Sequence, residues 1–207
     1  MSFSQPSFLP DAPGSSSPAP PPPDNADDEA DVALMSAVSH ADEAAFRSLV
    51  ERHQQALLNF FTRLGASNVC EDLAQETFVR LWRYRTQYRP TAKFTTFLYT
   101  LARHAWQDWC RRQSRFALFR ERYAKEVPQA TDGGLPGLQR DLDVQAALDA
   151  LSPKHREVLV LAVTQGLKYE EIADVLSIPV GTVKSRVFNA LASLQRMFGY
   201  EYDDTRK

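Results

Sequence analysis

A break rich in proline and glycine divides this chain into two stretches of helical periodicity. Between residues 126 and 140 stand Pro128, Gly133, Gly134, Pro136 and Gly137, a composition that ends regular structure and suits a flexible linker. On either side, apolar residues recur at three- and four-residue spacing, and no segment sustains the alternation of a strand. The chain is therefore predicted to be all-α, with two helical domains on a tether. Its 207 residues leave each domain enough length to bury a core. Residues 1–30 form a third kind of segment, rich in Pro, Ser and Asp, with four consecutive prolines at 20–23. Such a segment cannot bury enough apolar surface to offset the entropy of ordering, so it is read as a disordered tail. The expected organisation is a tail over 1–30, a first unit over 31–122, a linker over 123–140, a second unit over 141–199 and a polar tail over 200–207.

The formal charge of −2 conceals a strong asymmetry. Residues 1–31 hold six acids and no Lys or Arg, whereas 80–122 hold eleven Lys or Arg against Asp108 and Glu121, a local net of +9. The same block carries Trp82, Tyr84, Tyr88, Phe94, Phe97, Tyr99, Trp106, Trp109, Phe116 and Phe119. Basic residues interleaved with aromatics suit a groove that neutralises phosphates and stacks exposed bases. The same composition also describes a solvated basic face over an aromatic core.

Helical geometry sorts these residues in the first unit. Phe46, Leu49, Val50, Leu57, Phe60, Phe61 and Leu64 follow helical spacing up to Gly65, a natural stop. Ser67 is the expected cap of a helix over about 68–85, with Leu73, Ala74, Phe78, Leu81 and Trp82 on its apolar face. Asp72, Gln75, Glu76 and Val79 lie toward the other side. After Pro90, Thr91 is the expected start of a third helix, in which Phe94, Phe97, Leu98, Leu101, Ala102, Ala105 and Trp109 form a buried stripe. Its opposite face, predicted to be exposed, holds Thr96, Tyr99, Thr100, Arg103, His104, Gln107, Arg111 and Arg112.

The second unit is punctuated more sharply. Ser152-Pro153 pairs an N-cap with proline at the first helical position, and Gly166 closes that helix. A short helix over 169–176 turns Ile172, Ala173 and Leu176 inward. The turn Ser177-Ile178-Pro179-Val180-Gly181 follows, then a helix over 182–198 whose buried face is Val183, Val187, Ala190, Leu191 and Leu194. Two helices crossing over a small residue and a tight turn fit a helix-turn-helix, whose second helix enters the major groove of DNA. Thr182, Lys184, Ser185, Arg186 and Asn189 lie near its N-terminal end, where side chains meet base edges, and Arg, Asn and Ser are suitable donors. A helical hairpin with a solvated polar face has the same pattern.

Other classes find little footing. There is no Gly-rich phosphate loop and no nucleophile motif, and His40, His53, His104 and His155 are scattered. No catalysis, cofactor or metal is expected. Cys70 and Cys110 lack metal-type spacing and suit a reducing compartment. The opening MSFSQPSFLPDAPG has no secretory pattern, and no apolar run approaches a membrane span. A cytoplasmic protein without membrane insertion is expected.

The span 31–198 resembles the extracytoplasmic-function (ECF) branch of the bacterial sigma-70 family. ADEAAFRSLVERH from Ala41, EDLAQETFVRLWR from Glu71 and KFTTFLYTLARHAWQDWCRR from Lys93 resemble sigma region 2. ALDALSPKHREVLVL from Ala147 and YEEIADVLSIPVGTVKSRV from Tyr169 resemble region 4. The resemblance implies a non-enzymatic factor that binds core RNA polymerase, through the β′ clamp helices and the β subunit, and directs it to promoter DNA. Asp72, Gln75 and Glu76 match the segment that docks on the clamp helices. The loop over 85–93 and the helix after it match the part that melts and reads the −10 element. There the candidates are Arg103, His104, Gln107, Asp108, Arg111 and Arg112, with Lys93 and Tyr99 at the entrance. Thr182, Lys184, Ser185, Arg186 and Asn189 fall on the reader of the −35 element. The family also implies control by an anti-sigma factor.

Three positions depart from the family pattern. His104 stands where Asn is common, Phe97 replaces a usual Trp, and Asn189 and Leu191 stand where further Arg residues are usual. The −35 contact is therefore expected to rest more on specific hydrogen bonds than on charge. A plain two-domain DNA-binding regulator accounts for the second unit but leaves EDLAQETFVRLWR and the basic-aromatic block unexplained. The acidic tail outside the family core is expected to serve as a spacer or as a weak masking arm over the basic block.

Overall fold

A computed structural model describes residues 26–123 and 139–198, with side chains described over 27–115 and 144–197. The described residues are helical, without strands: α1 (Ala26–Ser39), α2 (Glu43–Arg63), α3 (Cys70–Arg83), a 3-10 turn (Arg85–Gln87), α4 (Phe94–Tyr123), α5 (Gln139–Asp149), α6 (Pro153–Leu159) running into a π turn (Val160–Thr164), α7 (Tyr169–Leu176) and α8 (Val180–Phe198). Most of the tail and most of the linker expected from composition lie outside the described residues, and so does the polar C-terminal segment. Residues 26–30 differ from expectation. They form the first turn of α1, in which Asp28 is buried and accepts a 2.9 Å hydrogen bond from Phe94 N–H. Local composition is acidic there, but a folded partner supplies the burial that composition alone could not.

Helix boundaries follow their local chemistry. Asp42 caps α2 by accepting from Ala45 N–H at 2.9 Å, and Gly65, at φ +93°, takes the left-handed conformation that ends it. The predicted Ser67 cap is not used. Residues 66–69 make a turn closed by Val69 N–H to Ala66 O, and α3 starts at Cys70 after Val69. Thr91 likewise does not start α4; the helix begins at Phe94, and its cap is Asp28 from α1. In the second unit Ser152 holds the N-cap position through its carbonyl, which accepts from His155 and Arg156, and not through its side chain. Glu171 reaches back to Lys168 N–H at 2.8 Å at the start of α7. Ser177 takes φ +52° in the turn before α8. Pro179 O accepts from Thr182 and Val183, so α8 begins at Val180, two residues before the expected start.

One apolar core runs through both units. In the first, Leu49, Leu57, Phe60, Phe61, Leu81, Phe94, Leu98 and Leu101 are fully buried; in the second, Val158, Leu161, Ile172, Val175 and Val183 are. Each such aliphatic or aromatic side chain contributes about 1.5–3 kcal/mol when fully removed from water. The two groups are continuous because α7 packs on α4 and the π turn packs on α2. The predicted exposed face of α4 is corrected at two positions: Thr96 and Tyr99 are buried, at 4% and 3% exposure, Tyr99 between Phe60 of α2 and Gln165 of the second unit. Leu191 is corrected in the other direction. It is 45% exposed, because at 3.6 residues per turn it falls beside the Val183–Val187–Ala190 stripe rather than on it.

Candidate nucleic-acid interface

The last two helices build the first surface. Ile172, Ala173, Val175 and Leu176 of α7 bury against Val183, Val187 and Ala190 of α8, so the opposite side of α8 faces solvent. Lys184, Ser185 and Asn189 are exposed there, and Thr182 and Arg186 are half-buried at its edges. The Ser185 hydroxyl donates back to Thr182 O at 3.0 Å, leaving its oxygen as an acceptor toward solvent. The five predicted residues thus share one end of one helix. Phe188, on the same side, is 72% exposed. Phe188 offers no hydrogen bond to a base edge and so escapes a reading by donors and acceptors, although its offset from the Val183–Val187 stripe marks it as outward.

Arg80 organises the second surface. Its guanidinium, 14% exposed, donates from Nε to Glu76 at 2.8 Å and from Nη2 to Asp108 at 2.9 Å, tying α3 to α4. Asp108 also accepts from Arg111 at 2.5 Å. Burial raises the Asp108 carboxyl, but the Arg111 and Arg80 contacts outweigh it and hold it below the usual carboxylate range. Arg111 and Arg112 are exposed, and His104 and Gln107 are half-buried beside this chain of charges. Burial first, then Arg103 and Arg80, push the His104 imidazole below its ordinary value, so it is neutral at pH 7.

Three other predicted residues of this group face the second unit. Lys93 Nζ lies 3.0 Å from Glu171 Oε1, and Arg103 Nε lies 2.9 Å from Glu157 Oε1. The Tyr99 hydroxyl donates to the Gln165 side-chain oxygen, and burial pushes its pKa well up. In the loop before α4, Arg85 lies over the Trp82 ring at 4.5 Å and donates to Trp82 O. Burial, reinforced by Asp28 and Asp31, pushes Tyr88 up to about 12. Trp106 and Trp109 stack with ring centroids 5.2 Å apart, half-buried against the core, so the predicted burial of Trp109 is partial.

On α3, Asp72 and Gln75 are exposed, and Val79, one turn on, is 49% exposed. Glu76 is half-buried and engaged by Arg80 rather than standing out as an acceptor.

Comparison with known proteins decides between a plain DNA-binding regulator and the alternative. Residues 49–116 match the family model described as sigma-70 region 2, and residues 141–194 match sigma-70, region 4. The RNA polymerase sigma factor CarQ of Myxococcus xanthus is 33% identical over 158 residues, 75% of this chain and 90% of that protein. The chain is an ECF sigma factor of the sigma-70 family. The ECF RNA polymerase sigma-E factor of Escherichia coli strain K12 is 30% identical to it over 171 residues, 77% of this chain and 90% of that one. Two solved structures share its fold. One is CnrH in complex with the cytosolic domain of CnrY, with TM-score 0.62, 26% identity, and coverage of 84% of this chain and 99% of that chain. The other is the sigma factor RpoE in complex with the anti-sigma factor NepR from Bartonella quintana, with TM-score 0.64, 25% identity, and coverage of 76% and 98%. The sigma factor binds core RNA polymerase and promoter DNA, and directs the polymerase in transcription initiation; it is not an enzyme. Among the described residues no helix is long and apolar enough to cross a membrane.

Proposed function

We propose a division of promoter recognition between the two surfaces. The second unit, over 141–199, reads the −35 element through Thr182, Lys184, Ser185, Arg186 and Asn189. The first, over 31–122, opens and holds the −10 element through Lys93, Tyr99, Arg103, His104, Gln107, Asp108, Arg111 and Arg112. Asp72 and Gln75 dock on the β′ clamp helices of the polymerase, and Glu76 contributes once its pairing with Arg80 is exchanged. The observation that carries the reading is the exposed N-terminal end of α8, where donors and an acceptor stand opposite a fully buried stripe. That geometry lets a helix lie in the major groove without unpacking its own domain. Phe188 adds an apolar contact suited to a thymine methyl.

Unstacking bases costs free energy that the first surface offsets by holding phosphates with arginines and by capturing the opened strand. His104, neutral at pH 7, both donates and accepts there. The sigma factor acts in the cytoplasm, where polymerase and promoters meet. One of its structural neighbours is a sigma factor in complex with an anti-sigma factor, and an anti-sigma factor covering these two surfaces is the control that this architecture suits. Site-specific photocross-linking in the assembled holoenzyme tests the division: a probe in place of Ser185 should label the −35 region and one in place of Gln107 the −10 region. Labelling of the same region by both probes contradicts it.

A further inference from the structure

We propose that Arg80 is a positioning residue which decides, through Asp108, whether Arg111 is held by the protein or available to the −10 strand. The inference rests on the assignment of Glu76 to the polymerase and of Arg111 to that strand. A row of four charges crosses from α3 to α4. Glu76 accepts from Arg80 Nε at 2.8 Å, and Asp108 Oδ2 accepts from Arg80 Nη2 at 2.9 Å. The other Asp108 oxygen, Oδ1, accepts from Arg111 at 2.5 Å. One end of the row stands a helical turn from Asp72, among the polymerase-docking residues, and the other stands beside Arg112.

Exposure sets the order of strength along this row. The Arg80 side chain is 14% exposed, so leaving its charge short of carboxylate partners is costly. Arg111 is 66% exposed, and a pair that open to solvent is weak. When a basic group of the polymerase takes Glu76, Arg80 still has Asp108 beside it. A guanidinium fork meets a carboxylate best through two parallel hydrogen bonds, and the second oxygen it needs is the one that holds Arg111. Arg80 therefore closes on both oxygens of Asp108, and Arg111 swings out to a phosphate. Docking on the polymerase and capture of the strand then strengthen each other by the same factor.

The test uses the full chain, free of polymerase, and a short labelled single-stranded DNA of mixed sequence. Glu76→Ala stands in for the exchange of Glu76, and Glu51→Ala, at an exposed position on α2, is the control of equal charge change. Glu76→Ala should bind the strand about two- to threefold more tightly than the control, the worth of an exposed ion pair. Its binding should also fall more steeply with salt, by about 0.7 in the slope of log K against log salt, because one more phosphate is neutralised. Adding Arg111→Gln should abolish both differences. Equal affinity and slope in Glu76→Ala and the control, or a gain that survives Arg111→Gln, overturns the relay. Arg111→Gln alone is measured in the holoenzyme as well. Binding of the strand there as tight as wild type overturns the assignment of Arg111 beneath the proposal, whereas weaker binding there with no gain from Glu76→Ala in the free chain overturns the relay alone.

Discussion

The Asp28 carboxylate accepts a 2.9 Å hydrogen bond from Phe94 N–H, joining residues 66 positions apart at the start of the helix that carries the −10 candidates. An N-cap usually comes from the residue just before the helix; here α1 supplies it from outside the segment 49–116 that matches region 2. Asp28→Ala removes the cap and should cost about 1–2 kcal/mol in urea unfolding. Asp28→Asn keeps an acceptor and should recover most of that loss. Equal losses in both variants would show that the charge, not the hydrogen bond, holds α4.

Ser177 takes φ +52° in the turn that sets α8 against α7. A left-handed conformation costs a non-glycine residue roughly 1–2 kcal/mol. Ser177→Gly relieves that cost, less the entropy glycine regains on unfolding, so a gain of up to about 1 kcal/mol is expected from denaturant curves. Destabilisation would mean that the Ser177 side chain makes a contact worth more than the strain.

His104 has its pKa lowered by burial and by Arg103 and Arg80. The unfolded chain therefore binds a proton that the folded chain resists, and this contribution to stability, present at pH 7.5, is lost as pH falls through the unfolded value toward the lowered folded one. The difference in unfolding free energy between pH 7.5 and pH 5.5 should shrink in His104→Asn, the residue common in the family. An unchanged difference assigns the effect to other groups.

Phe188 is 72% exposed. Its replacement by Ala should therefore change stability by less than about 0.5 kcal/mol. Binding of the holoenzyme to −35 DNA should nevertheless weaken if the ring meets a base methyl. A melting shift with intact DNA binding would place Phe188 in packing instead.

The features legible in the sequence were those fixed by neighbours along the chain. The stripe of Phe94, Leu98 and Leu101 and the turn between α7 and α8 follow from periodicity and local punctuation, and both stand in the structure. The features that escaped depend on distant partners. No local pattern signals that Asp28 caps α4 or that Arg80 captures Glu76 and Asp108. Tyr99 lies on the polar side of its helix by periodicity, and its burial follows from two distant partners, the Phe60 ring of α2 at 5.2 Å and the second unit docking at its hydroxyl. Leu191 escapes for a different reason: its apolar identity suggests an inward position, but its angle on the helix places it beside the buried stripe.

On the proposed division, α8 and α4 read different promoter elements. Promoter-specific initiation with purified core polymerase tests it when Arg186→Ala and Arg111→Ala/Arg112→Ala are each measured on promoters altered at one element only. Arg186→Ala should lose about 1–3 kcal/mol of discrimination at the −35 element and keep its discrimination at −10. The Arg111/Arg112 variant should weaken −10 engagement and leave −35 discrimination intact. Equal loss at both elements from either variant, or no loss from Arg186→Ala, would contradict the assignment.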